Sequence, residues 1–422
     1  MSNSPLWAQT RDVPTLTPLQ RDIIRHPANR KVIVAGRRAG KTTLAAYLAL
    51  ERFFAGQRVL LTSATQDQAD TFWDKLKAWL YPLIEDRIVG KLESRRLLTL
   101  NALDGPGGRI RVKTGRHPDV LRGDDADLIV FDECALLDPA VWNAVAAPML
   151  ADRDGDAVFI STPRAKNWFF HLYQRGLDPQ QPRWAAWHFT THDNPHLSRT
   201  AVAALEHDMP RYLYKQEILA EFVDNATTVF RDVRHRPRQP ASSPPATPNP
   251  QRYVAGLDWA RQHDYTVMTV LDMHTRHVVA MERFNLLGWA QQRARVERLH
   301  ALWRPEAIIA EANSIGGPNI EALQASGLPV RPFVTTAQSK RDIIEHLVLA
   351  LEHGDLTLLD DAVLLGELEA YEMHIDPVTR HIRYNAPSGG HDDTVIALAL
   401  AWHGYLDRHR RKMAVSSNPF YG

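Results

Sequence analysis

The segment Val32-Ile33-Val34-Ala35-Gly36-Arg37-Arg38-Ala39-Gly40-Lys41-Thr42-Thr43 constrains the fold of this chain more than any other. An apolar run, a turn ending in glycine, lysine and threonine, and the helix-forming stretch 44–51 predict a strand, a loop and a helix in fixed order. Such a loop cradles phosphate. Gly40 lets the backbone turn so that N–H groups and the positive end of the helix face an anion. Lys41 supplies a charge to the β- and γ-phosphates of a nucleotide, and Thr42 offers its hydroxyl to Mg²⁺. Gly36, Arg38, Ala39 and Thr43 complete the expected nucleotide-binding loop, with Ala35 standing where the pattern has its first glycine. The plainer alternative is a strand-turn-helix with a surface lysine.

A second buried strand, Leu128-Ile129-Val130-Phe131, ends in Asp132-Glu133. Two adjacent carboxylates there are expected to divide the work: Asp132 holds Mg²⁺, directly or through water, and Glu133 polarises the water that attacks the γ-phosphate. Alone the pair has a bland reading, two acids facing solvent. Joined to the loop, it reads as an ATP·Mg²⁺ site. Two smaller signals stay open. In Thr17-Pro18-Leu19-Gln20, the Gln20 amide matches adenine, yet Thr17, Pro18 and Gln20 also form a capping box. Thr162 of Ser161-Thr162-Pro163 either senses the γ-phosphate or caps the next helix. The runs 32–34, 59–61, 128–131 and 158–160 alternate with amphipathic stretches, the pattern of a parallel α/β sheet.

At 422 residues the chain exceeds the usual size of one hydrophobic core. The expected division is an ATPase domain over 1–233 with a lid subdomain from about 185, a linker over 234–252, and a second domain over 253–422. Pro237, Pro240, Pro244, Pro245, Pro248 and Pro250 mark the linker. The balance of 50 basic and 49 acidic residues argues against a protein that coats nucleic acid by bulk charge, so any DNA contact is local. Arg37-Arg38, Arg95-Arg96, 231–238 and 408–412 are the local basic clusters, although most such runs are solvated surface. One cysteine, Cys134, allows no internal disulfide, which suits a reducing compartment. The first fourteen residues lack a signal-peptide pattern, and no apolar run approaches the ~20 residues of a membrane span. A cytoplasmic protein without membrane association is expected.

Beyond the linker, strands are expected at 253–258, 266–272 and 277–284 as an antiparallel meander. Helix 289–303, strand 307–311, helix 318–325, strand 329–334, helix 339–352 and a helix from about 392 to 408 follow. That is the order of an RNase H-like sheet. Asp258 ends the first of these strands, Glu311 ends the fourth, and His391-Asp392-Asp393 opens the last helix. Carboxylates from these three places converge on one sheet edge, where two Mg²⁺ or Mn²⁺ ions ~4 Å apart would activate water and stabilise the leaving oxygen of a phosphodiester. Singly, each acid is equally a turn residue, a strand end or a helix cap. Asp392 and Asp393 point ~100° apart on a helix and contribute unequally. Asp264 is an accessory ligand or a turn residue, and Lys340 and Arg341 touch the DNA backbone or only solvent.

Over 16–402 the chain resembles the terminase large-subunit family. The resemblance rests on Gly36-Arg37-Arg38-Ala39-Gly40-Lys41-Thr42, Leu121-Arg122-Gly123, Asp132-Glu133, Ser161-Thr162-Pro163, Asp193-Asn194-Pro195, Gln216-Glu217-Ile218-Leu219-Ala220-Glu221-Phe222, Gly256-Leu257-Asp258, Glu311 and His391-Asp392-Asp393, in that order. It implies an α/β protein: a P-loop NTPase with a RecA/ASCE-like parallel sheet, followed by an RNase H-like nuclease domain. It further implies an ATPase that translocates double-stranded viral DNA into a procapsid in the bacterial host cytoplasm, and a two-metal endonuclease that cuts the concatemer. The partners implied are a portal ring, a small terminase subunit and a homo-oligomeric ring of motor subunits. Arg37 becomes a candidate arginine acting in cis on the γ-phosphate, and Arg116 or Arg122 one acting on a neighbour's ATP. A helicase–nuclease would need a second RecA-like domain where the meander stands, and a decayed portal-docking protein would not need Lys41, Asp132, Glu133, Asp258 and Glu311.

Overall fold

The computed structural model describes residues 5–101, 107–115, 117–164, 166–223, 226–247, 249, 251–260, 264–313, 316–375 and 382–416. Two compact units emerge, Met1–His207 with Arg211–Asp224, and Asp208–Pro210 with Asn225–Gly422. The first holds one sheet made of β1 (Arg30–Ala35), β2 (Arg58–Ser63), β3 (Val89–Leu92), β4 (Leu97–Leu100), β5 (Arg109–Thr114), β6 (Leu128–Asp132), β7 (Asp156–Ser161) and β8 (Trp184–Phe189). Its order is β3-β4-β5-β2-β6-β7-β1-β8, parallel from β5 to β8, with β3 and β4 adding an antiparallel edge. The central strands are apolar on both faces because both are covered. Ile33, Leu61 and Val130 pack with helices Lys41–Phe54 and Gln66–Glu85, while Val32, Phe131 and Phe159 pack on the other side with Trp142 and Phe169. Strand β7 lies between β1 and β6, so its end at Ser161 falls between the phosphate-loop turn and Asp132.

The second unit contains β9 (Ala226–Thr228), β10 (Arg238–Gln239), β11 (Tyr253–Asp258), β12 (Thr266–Asp272), β13 (His277–Phe284), β14 (Ile308–Glu311), β15 (Val330–Phe333), β16 (Leu358–Leu359), β17 (Glu372–Ile375) and β18 (Ile382–Asn385). The main sheet runs β13-β12-β11-β14-β15, three antiparallel strands followed by two parallel ones, as in RNase H-like sheets. The three meander strands have the expected bounds. Residues 225–233 belong to this unit, not to the first as expected, because β9 pairs with β17 and Val229 N–H donates to the Tyr371 carbonyl. The proline-rich segment is likewise more than a tether: β10 pairs with β16, and Ser242 N–H donates to the Val279 carbonyl. The expected lid start at 185 falls inside β8, a strand of the first sheet. No described helix is long and apolar enough to cross a membrane.

Candidate active sites

Strand β1 delivers the chain into the loop, and Gly40 turns it in the left-handed region (φ 91°) before the helix Lys41–Phe54 begins. The Lys41 side chain is buried and its ammonium fully engaged. Nζ donates to Thr162 Oγ1 at 2.7 Å and to the Gly36 carbonyl at 3.1 Å, and lies 3.5 Å from Glu133 Oε1. Glu133 is itself held: its Oε2 accepts from Ser161 Oγ at 3.1 Å and from the Thr162 amide at 3.3 Å. To reach this position the chain leaves β6 with Glu133 at φ 48°, a left-handed conformation that costs a non-glycine residue ~1–2 kcal/mol. Thr162 does not cap the following helix; Asn167 does.

Asp132 is buried beside Glu133, and burial, then the Glu133 charge, push its carboxyl up to about 7 against the pull of Lys41. Its Oδ1 and the hydroxyl of Ser63, its register partner on β2, are buried without a hydrogen-bond partner among the described residues. Two oxygens left unsatisfied beside a lysine-bearing loop fit a hydrated Mg²⁺, which would supply the missing partners. Ser63 escapes sequence reading, because only the β2–β6 register brings it to Asp132. Next to the loop, Thr17, Gln20, Gly40, Thr43, Asp193 and Asn194 help line a cavity of about 330 Å³. Gln20 takes the capping role, its Oε1 accepting from the Thr17 amide in a capping box, and also borders this cavity beside Gly40.

In the second unit, Val254, Gly256 and Asp258 alternate with Tyr253, Ala255 and Leu257, which enter the core beside Trp303 and Ile320. Gly256 pairs with Ile309 and Leu257 with Ala310, so Asp258 and Glu311 end neighbouring strands. The helix Asp393–Ser416 crosses their face closely: a Cβ on Gly256 would lie 2.0 Å from the Ala397 carbonyl oxygen. That approach brings Asp392 and Asp393 to the strand ends. Burial, then the Glu311 charge, a hydrogen bond with Glu311 and the Asp393 and Asp392 charges hold the Asp258 carboxyl well above the usual range. Burial also pushes Asp393 up to about 6, although its Oδ2 accepts from the Tyr265 amide at 3.1 Å. The oxygen atoms of Asp264 and Asp393 and a ring nitrogen of His391 lie within 4.8 Å of one another. Asp392 instead pairs with Lys340 Nζ at 3.1 Å. Acids crowded so that Asp258 and Asp393 are pushed up fit a divalent cation, which would reverse those two shifts, and the oxygen-rich set suits Mg²⁺ or Mn²⁺.

Residues 32–233 match the family described as Terminase large subunit, T4likevirus-type, N-terminal. Along nearly the whole chain, the terminase large subunit of Thermus virus P23-45 is 28% identical over 426 residues, covering 92% of this chain and 87% of the relative. The chain is similar to terminase large subunits along nearly its whole length. The terminase large subunit of Thermus phage G20c is also 28% identical, with the same shares covered. The solved structure of a large terminase from a thermophilic bacteriophage has the same fold, with a TM-score of 0.53 at 15% identity over 93% of this chain and 100% of that one.

In this chain the motifs distant from the loop turn out to hold it. Asn194 Nδ2 donates to the Arg38 carbonyl at 2.7 Å, and Thr191 Oγ1 to the Arg37 carbonyl at 2.7 Å. Arg37 N–H donates to the Glu217 carbonyl at 2.6 Å, and Asp193 Oδ2 accepts from the Thr190 amide. The Arg37 and Arg38 side chains are exposed. Arg122 is exposed too and pairs with Asp119 at 2.6 Å, while Arg116 lies outside the described residues. Arg341 pairs with Glu345 along its own helix.

The close crossing at Gly256 makes a sharp test. Gly256→Val should destabilise the second unit by ~1–3 kcal/mol through overpacking and lower DNA cleavage by displacing Asp392 and Asp393 from Asp258. Thermal melts and plasmid cleavage check it; unchanged melting and cutting would mean that the crossing does not set the site.

Proposed function

We propose that this chain hydrolyses ATP at the Lys41 site to drive double-stranded viral DNA into a procapsid, and cuts concatemeric DNA at the Asp258 site. The observation that carries the reading is the presence, in one chain, of a buried lysine poised between Thr162 and Glu133 and a separate cluster of acids at Asp258, Glu311, Asp392 and Asp393. In the first site, Lys41 exchanges its Thr162 and carbonyl partners for phosphate oxygens, and Gly36, Arg38, Ala39, Gly40, Thr42 and Thr43 supply the surrounding loop. Gln20 borders the base. Glu133, oriented by Ser161 and the Thr162 amide, accepts the proton of the attacking water, while Thr42 and Asp132 hold Mg²⁺. Arg37, or Arg122 from a neighbouring subunit, stabilises the γ-phosphate charge.

In the second site Asp258, Glu311, Asp392 and Asp393 hold divalent cations, with Asp264 and His391 at the margin. The bound cations would supply a water nucleophile and neutralise the leaving oxygen. Lys340 then passes from Asp392 to the DNA backbone. Similarity to terminase large subunits supports the portal, a small terminase subunit and a ring of identical subunits as partners, in the host cytoplasm. The second unit's five-stranded mixed sheet disfavours a two-lobed helicase.

Purified protein assayed for ATP turnover with and without linear duplex DNA, and for plasmid cutting with Mg²⁺ or Mn²⁺, tests the reading. DNA-dependent turnover together with metal-dependent cutting is expected. Neither activity, in folded protein, would leave only a docking role.

A further inference from the structure

Glu367 stands on the helix Ala362–Ala370, outside every motif that supplies an acid to the nuclease site, yet it is buried next to that site. Its Oε2 accepts from the Thr394 amide at 2.9 Å and from Thr394 Oγ1 at 2.5 Å. Thr394 follows Asp393 in the first turn of the long helix, where backbone N–H groups lack helical acceptors and the helix end is positive. The other carboxylate oxygen lies 3.6 Å from Arg283, whose guanidinium sits 3.1 Å from the centre of the Tyr265 ring. Tyr265 closes the circuit, since its amide is the donor to Asp393 Oδ2. Asp393 is thus gripped from both sides, by the Tyr265 amide and by the anchoring of the next residue.

A buried fifth acid beside four others is electrostatically costly, and its charge adds to the burial that raises the Asp393 carboxyl. A neutral side chain would pack there without that cost. What Glu367 offers is a strong charge-assisted bond to the start of the helix, together with more negative field for a divalent cation. The geometry points to Glu367, braced by Arg283, as a positioning residue that fixes the Asp393 carboxylate for metal binding; this rests on the nuclease reading above. Outer partners of metal ligands typically contribute about 10- to 100-fold in metal affinity or activity.

The test uses the full chain, with Mn²⁺ alone as the probe in calorimetry and Mn²⁺-dependent plasmid cutting alongside. Glu367→Ala should weaken Mn²⁺ binding and slow cutting, each by about tenfold or more, and leave ATP turnover unchanged. Glu367→Gln keeps an oxygen for Thr394 and should restore most of both. Thr394→Val removes the hydroxyl partner at similar volume and should shift Mn²⁺ affinity in the same direction by less, which keeps the test open if Glu367→Ala fails to fold. Wild-type affinity and cutting in Glu367→Ala would overturn the inference, as would a Gln variant as impaired as the Ala variant. Asp258→Asn serves as the control: if it cuts like wild type, the nuclease reading itself has failed, whereas its loss of cutting beside an unaffected Glu367→Ala confines the failure to Glu367.

Discussion

Lys41→Ala should abolish ATP turnover while leaving Mn²⁺-dependent plasmid cutting at the wild-type level. The lysine ammonium is buried at the loop against Thr162 and the Gly36 carbonyl, within reach of Glu133. Removing a preorganised charge that faces a transferring phosphoryl group lowers turnover by about a thousandfold, roughly 4 kcal/mol of transition-state stabilisation. The substitution also strips Glu133 of its neighbouring cation, so the Asp132–Glu133 pair becomes more strongly repulsive in the absence of nucleotide. A modest loss of thermal stability should accompany the kinetic loss. The informative contrast is with DNA cutting, because the acids of the proposed nuclease site belong to a different compact unit. If Lys41→Ala hydrolyses ATP at near the wild-type rate, the loop is not the nucleotide site; if cutting falls in parallel although the protein is folded, the two chemistries are not separable.

Asp258→Asn should have the complementary effect: cutting lost by about a thousandfold, ATP turnover retained. It should also leave a thermodynamic signature. Without a cation, burial and three neighbouring acids hold the Asp258 carboxyl well above its usual range. A raised folded-state pKa means that the folded chain binds a proton more tightly than the unfolded one. Its contribution is therefore lost as pH rises from the ordinary carboxylate range through the folded value. Asparagine carries no such penalty. In EDTA at neutral pH the variant should melt at or above the wild-type temperature, whereas added Mn²⁺ should raise the wild-type midpoint and barely move the variant's. Melting curves with EDTA and with Mn²⁺ decide this, and an equal Mn²⁺ shift in both proteins would remove Asp258 from the metal site.

The loop and the sheet strands were legible because their signals are local. Val32-Ile33-Val34 before glycine, lysine and threonine, and the β-rich runs that became β11, β12 and β13, each carry their pattern within a few residues. Asp258 and Glu311 were legible as the polar ends of apolar strands. What the sequence hides is pairing across distance. β9 is three residues that find their partner in β17, and β10 is two residues of a proline-rich stretch set against β16. Neither has periodicity to read, which is why the domain boundary was expected too late. Ser63 and Tyr265 contribute through a register partner and a backbone amide respectively, and neither leaves a mark in side-chain type.

The contact between Gly256 and the helix at Ala397 and Ala401 has a consequence for how this half of the chain tolerates change. At Gly256 the separation between strand and helix is set largely by main chain against main chain, while one turn on the Val254 and Ile309 side chains meet the helix at Gly404. Leu257, Ile308 and Ala310, buried on the opposite face, can therefore be exchanged for other apolar residues of matching total volume without moving the acids. Drift in the core and the placement of the acids are uncoupled where the strand meets the helix through Gly256, a position with no side chain to mutate gradually.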